Sequence, residues 1–196
     1  MKRTNNTVLK RAGSTAKPKV PPFVAERPGN WHLARTETER RLSDFEFGLE
    51  RLAQAYYRWK AACLAAVCDV PLTGDDVAVL NVVRMGDEPK RLSEIGQLLN
   101  RVDVPNLQYA TRKLVRSGLI ETEGSSSRKE TRYRATATGR SVTEAYAALR
   151  AATLPPMLDA LDGWAAKSET TSIQLDLIAS LYAQAAQVAI TRRHQP

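Results

Sequence analysis

The 196-residue sequence predicts a mainly α-helical chain with one small β-hairpin, in which a block of three short helices and the hairpin is flanked by long helices. Three observations predict it. Apolar residues from Leu42 to Ala66 keep a heptad spacing. Residues 73–117 carry three separate helical periods, each with its own start or stop signals. Residues 119–136 read as two short strands around a small polar loop.

The chain opens with a basic arm. Residues 1–30 hold Lys2, Arg3, Lys10, Arg11, Lys17, Lys19 and Arg27 against Glu26 alone, with four prolines and few large apolar groups, and read as largely disordered. Most of the formal charge of +8 therefore belongs to this arm. Such a balance favours anionic partners, nucleic acid or an acidic membrane surface, and does not choose between them. No apolar run approaches the ~20 residues that span a bilayer, and the N-terminus lacks the apolar stretch of a secretory signal. Prolines and the absence of an amphipathic period argue against a transit peptide. Two cysteines, Cys63 and Cys68, are too few for a disulfide framework and point to a reducing compartment. The expected setting is the cytoplasm, with no membrane partner.

Leu42, Phe45, Leu49, Leu52, Tyr56, Trp59, Cys63 and Ala66 are spaced alternately by three and four, which predicts one long helix from Thr38 to about Ala66 within a segment 31–71. A seam of that length packs against a second subunit or a bundle, and a dimer contact is expected. In LTGDDVAVLNVVRMG (72–86), Thr73 is placed as an N-cap, Asp75 and Asp76 suit the helix N-terminus and Gly86 suits its end. Ser93 is expected to cap a second helix, EIGQLLN (94–100), with Ile95, Leu98 and Leu99 inward. Asp103 then starts VPNLQYATRKLVRSG, whose narrow apolar face is Leu107, Ala110, Thr111 and Leu114 and which Gly118 stops.

Leu119–Glu123 and Glu130–Thr136 are the predicted strands, with GSSSRK (124–129) as the tip between them. Thr138-Gly139 opens the C-terminal region, 139–196. There a helix over 140–153 is expected to break at Leu154-Pro155-Pro156 and resume near Met157 to about Ala166, with a last helix from about Thr171 to Ile190.

Helix, helix, helix, hairpin over 72–138 is the order of a winged helix-turn-helix, in which the second helix of the turn enters the major groove and the first braces it. On that reading Pro105, Asn106, Gln108, Tyr109, Arg112 and Lys113 are the candidate DNA-binding residues of the recognition helix. Amides suit adenine, Arg suits guanine or phosphate, and Lys113 and Arg116 lie towards the phosphates or solvent. Ser126, Arg128, Lys129 and Arg132 are the candidate contacts of the wing. A solvated helix face and an ordinary solvated hairpin have the same composition, so the neighbourhood carries the inference rather than any one residue. The arm's cations can follow phosphates, adding salt-sensitive affinity without sequence information, or serve only solubility.

The segments LTGDDVAVLNVV, LSEIGQLLN, LVRSGLIE and RYRATATGR resemble the MarR family of bacterial transcriptional regulators. LSDFEFGLERLAQAYYRWKAACLAA and NLQYATRKLVRSGLI are similar to a proteobacterial subgroup of that family containing the L,D-transpeptidase regulator, LdtR. The resemblance covers about 40–190. It implies a winged helix-turn-helix domain flanked by long dimerisation helices, a homodimer on a pseudo-palindromic double-stranded DNA operator, and release by a small, often aromatic, anionic effector. Its wing departs from the commonest family pattern: SSSRKE keeps Arg128 without an Asp partner. Tyr56 and Trp59 are either seam packing or the wall of the effector pocket.

Cys63 and Cys68 lie five apart, about 140° around one helix, and are poorly placed to pair with each other. His32 and His194 lie near opposite ends with no clustered partners, so neither a metal site nor a catalytic set is expected, and no cofactor motif stands out. A winged-helix protein-interaction module without DNA contact remains the alternative, and an enzyme the weaker one.

Overall fold

Thr36 starts the first helix with a reciprocal cap. Its hydroxyl accepts from the Glu39 N–H at 3.2 Å, and the Glu39 carboxylate accepts from the Thr36 N–H at 2.8 Å. The computed structural model describes residues 31–124 and 131–192, and these fall into two compact units divided between Thr153 and Leu154. Helix α1, Glu37–Ala65, is the long helix the heptad predicted. Its seam divides into two halves. Trp59, Cys63 and Leu64 join the core, whereas Leu42, Phe45, Leu52 and Tyr56 are exposed.

Helix α2, Gly74–Arg84, is the centre of the first unit. Val77, Val79, Leu80, Val82 and Val83 are all buried, so it is apolar almost all round, as a helix enclosed by others must be. Its start touches α1: a Cβ on Gly74 would lie 2.6 Å from the Tyr57 carbonyl oxygen, an approach that glycine alone permits. Thr73 caps α2 as expected, and a short 3₁₀ turn, Met85–Asp87, follows, with Gly86 at φ 69°. Arg84 and Arg140 both bridge to Asp87, at 2.6 and 2.8 Å, and Arg84 also reaches Glu144 at 2.9 Å.

The next elements are strand β1, Lys90–Arg91, and helix α3, Leu92–Leu98. Here the sequence expectation needs correction. Ser93 is inside α3 rather than its cap; Arg91 takes the cap position and its N–H donates to Glu94 at 2.8 Å. Ile95 is buried and Leu99 packs on the core, but Leu98 is exposed, because α3 is too short to bury more than one stripe. Asn100, at φ 51°, turns the chain, and helix α4, Val104–Arg116, follows with Asp103 before it and Pro105 in its first turn. Its buried residues are Leu107, Ala110, Thr111 and Leu114, the face read from the sequence.

Gly118, at φ 70°, ends α4 and leads into strand β2, Ile120–Glu123, which pairs antiparallel with β3, Arg132–Ala135. The sheet order is β1-β3-β2, with Lys90 opposite Tyr133 and Thr122 opposite Tyr133 from the other side. β1 escaped the sequence reading because two residues cannot display an alternation. The expected loop tip after Gly124, Ser126, Arg128 and Lys129 included, lies outside the described residues.

Thr136 joins the sheet to helix α5, Ala137–Leu158. Its hydroxyl donates to the Gly118 carbonyl at 2.6 Å and accepts from the Gly139 N–H at 3.0 Å, so the helix begins two residues before the expected Thr138-Gly139 boundary is complete. The expected break at Pro155-Pro156 does not occur. Both prolines sit inside α5, since their fixed φ is helical and the carbonyls that lose a donor belong to the exposed Ala151 and Ala152, where water can serve them.

In the second unit, helix α6, Trp164–Arg192, starts seven residues earlier than expected and buries none of its residues. Ile173, Leu177, Leu181, Val188 and Ile190 are exposed along it. By length and composition alone α6 is apolar enough to cross a membrane, although its apolar residues form no unbroken run.

A Cβ at position 139 would stand 1.9 Å from the Leu119 carbonyl oxygen. Gly139→Ala, which in an open helix would stabilise by about 1 kcal/mol, is expected instead to lower the midpoint of denaturant unfolding followed by circular dichroism.

Candidate nucleic-acid interface

The outward face of α4 is set by its inward one. With Leu107, Ala110, Thr111 and Leu114 buried, Pro105, Asn106, Tyr109, Arg112 and Arg116 are exposed and Gln108 is half-buried. Tyr109, Arg112, Val115 and Arg116 line a depression with Thr122 and Tyr133 of the sheet, of about 490 Å³. Gln108 and Arg112 line a smaller one with Leu92 and Tyr133. Arg112 also donates from Nε to the Gln108 carbonyl at 3.1 Å, which lays its guanidinium along the helix.

Lys113 departs from the sequence reading. Its Nζ donates to Asp76 Oδ2 at 2.7 Å, and the Asp76 side chain is 5% exposed. The same carboxylate accepts from the Thr73 N–H and hydroxyl, each at 2.9 Å. Lys113 thus ties α4 to the first turn of α2 rather than pointing away from the fold.

The start of α4 is held by a second carboxylate. Arg101 grips Asp103 with two hydrogen bonds, Nε to Oδ1 at 2.9 Å and Nη2 to Oδ2 at 2.7 Å, and Asn106 Nδ2 donates to Asp103 Oδ2 at 3.0 Å. Arg101 Nη1 lies 3.5 Å from Asp75. The Arg101 guanidinium, with the Asn106 amide, holds the Asp103 carboxyl well below the usual carboxylate range. Sequence reasoning took Asp103 as a helix start and passed over Arg101; the charge pair two residues apart in the turn was the available signal.

In the wing, Arg132 donates to the Pro89 carbonyl at 3.1 Å, and Arg134 pairs with the facing Glu121 at 2.6 Å. Both cations are engaged within the fold, Arg134 across the β2–β3 pair and Arg132 with the segment before β1. Ser126, Arg128 and Lys129 lie outside the described residues.

Tyr56 and Trp59, expected as seam packing or as an effector wall, take different surroundings. Trp59 packs edge-on to Tyr146, with ring centroids 6.2 Å apart. Tyr56 is exposed, and beside it Lys60 is 3% exposed, with Nζ 4.4 Å from the Tyr56 ring and 3.9 Å from the Tyr57 ring. Burial pushes the Lys60 ammonium below its ordinary value, and burial beside Asp75 pushes the Tyr57 phenol up. Cys63 is buried and Cys68 half-buried, both as free thiols, and burial pushes the Cys63 thiol up, away from the thiolate. Among the described residues there is no cluster of His, Cys, Asp and Glu that could hold a metal ion.

The depressed Asp103 carboxyl has a pH consequence. A carboxyl with a folded pKa below its unfolded value of about 3.9 stabilises the fold above that value and loses its effect as pH falls through the lower folded one. An NMR titration of the Asp103 carboxyl carbon is expected to show no step at the ordinary aspartate position, and Arg101→Gln is expected to restore one.

Residues 72–139 match the family of winged helix DNA-binding domains. A sequence search of curated proteins found no match. Among solved structures, the chain is similar to reduced AbfR bound to DNA, at 19% identity over 76% of this chain and 97% of that one, with a TM-score of 0.61; AbfR is a protein of Staphylococcus epidermidis. It is also similar to Sco5413, a MarR family transcriptional regulator from Streptomyces coelicolor, at 20% identity over 71% and 95% of the two chains (TM-score 0.56). A third is a mutant of MarR from E. coli complexed with operator DNA, at 15% identity over 71% and 99% (TM-score 0.56). At these identities what is shared is the fold: a winged helix with helices before and after it in the chain.

Proposed function

We propose that the chain is a MarR-family transcriptional regulator that acts in the cytoplasm as a homodimer on a pseudo-palindromic operator. The observation that carries the reading is the outward face of α4. Asn106, Tyr109, Arg112 and Arg116 stand exposed on a helix that is braced by α2 and held at its start by Arg101. That is the construction a recognition helix requires. The match of residues 72–139 to DNA-binding winged helices supports it, as do solved relatives whose own structures contain DNA. Within the family, residues 42–66 and 104–120 favour the LdtR-type subgroup.

Dimerisation is supported by apolar side chains left exposed among the described residues: Leu42, Phe45 and Leu52 on α1, and Ile173, Leu177, Leu181 and Val188 on α6. Two chains related by a twofold axis present two copies of α4, which calls for half-sites about 34–36 Å apart. A small aromatic or anionic effector would act beside Tyr56 and Trp59, where Lys60 supplies a desolvated cation.

The reading is tested by selecting duplexes from a random pool with the full chain and measuring binding by gel shift. A palindromic preference is expected. Arg112→Ala should lose discrimination at particular base pairs, whereas Arg128→Ala with Lys129→Ala should weaken all duplexes alike and reduce the salt slope. A chain that binds no duplex at low salt is an interaction module instead. Sedimentation should give two chains per particle, and Leu52→Glu one.

A further inference from the structure

A side-chain amide that reads a base must offer the correct edge, and a freely rotating one offers either. Asn106 is not freely rotating. Its Nδ2 donates to Asp103 at 3.0 Å, and the opposite orientation would set the amide oxygen against a carboxylate that can only accept. Asp103 is itself immobilised by the two-pronged contact from Arg101, whose side chain is only 18% exposed. The Arg101 backbone N–H donates to the Gly96 carbonyl at 2.8 Å and its Nη1 lies 3.5 Å from Asp75, so the clamp is anchored in both α3 and α2.

An amide has two N–H donors and one carbonyl acceptor. With one donor spent on Asp103, Asn106 keeps one N–H and its carbonyl oxygen. That donor–acceptor pair complements the N7 acceptor and N6 amine of adenine, whereas guanine shows two acceptors on the same edge. We propose that Arg101 and Asp103 are positioning residues that preset Asn106 to read an adenine in each half-site. The inference rests on the reading of α4 as the recognition helix. Asp103 makes no side-chain cap hydrogen bond to the backbone of α4; its carboxylate is taken up by Arg101 and Asn106.

The test uses the full chain and the operator selected from a random duplex pool, with each adenine replaced in turn by 7-deazaadenine, which lacks N7. The natural chain should lose about tenfold in affinity at one adenine per half-site. Asn106→Ala and Asp103→Ser should each bring the ratio of the two affinities at that position close to one, with the circular-dichroism spectrum of the folded chain retained. Arg101→Gln is the second variant for the clamp and should do the same. If Asn106→Ala retains the tenfold ratio, Asn106 is not the reader and the inference falls. If Asn106→Ala flattens the ratio but Asp103→Ser and Arg101→Gln keep it, the positioning role falls while the recognition helix stands. If the natural chain selects no duplex, the proposed function itself falls.

Discussion

Two neighbouring carboxylates at the start of α2, Asp75 and Asp76, hold the exposed helix α4 at two points. Asp76 takes Lys113 from the body of α4, and Asp75 faces Arg101, which clamps Asp103 at its start. Because α2 is the most enclosed helix of its unit, these contacts tie α4 to the most deeply buried part of that unit. The apolar face of α4 alone would seat the helix but leave it able to slide or roll. Directional, charge-assisted bonds to a fixed helix remove that freedom. The outward side chains inherit the precision of the core.

The cations of the described residues around α4 and the sheet divide by the same logic. Lys113, Arg84, Arg101, Arg132, Arg134 and Arg140 all bond carboxylates or backbone carbonyls within the fold. Arg112 bonds only its own helix's backbone among the contacts described, and so keeps most of its guanidinium edge outward. A basic face read as one surface is therefore two populations, one that builds the domain and one that a phosphate or a base can reach. Counting positive charge does not separate them, since the division depends on where carboxylates fall in space.

A second division runs along α1. Its last turns, from Trp59 to Leu64, complete the core under α2 and α5, while Leu42, Phe45 and Leu52 meet water. The helix thus links the winged-helix core to an apolar surface. Lys60, held against two tyrosine rings between these halves, is where a desolvated charge meets the junction. Tyr57 carries the connection on to Asp75, and so towards Arg101 and α4.

The heptad of α1, the Thr73 cap, the buried stripe of α4 and the positive-φ glycines at 86 and 118 are local, and the sequence displays them directly. Local signals misled where a rule has an exemption. Pro155 and Pro156 continue a helix because the bonds they forfeit lie at exposed residues, and Ser93 yields the cap to Arg91. Of the candidate contacts, Asn106, Tyr109 and Arg112 stand where a helical wheel puts them. The sequence by itself determined the long first helix, the run of short helices and paired strands after it, and the inward stripe of α4, because periodicity and caps act within a few residues. Only the tertiary structure decided that β1 pairs with β3, that Lys113 turns inward, and that Arg101 holds Asp103. Those outcomes depend on carboxylates and backbone groups brought close by packing, at separations no local pattern encodes.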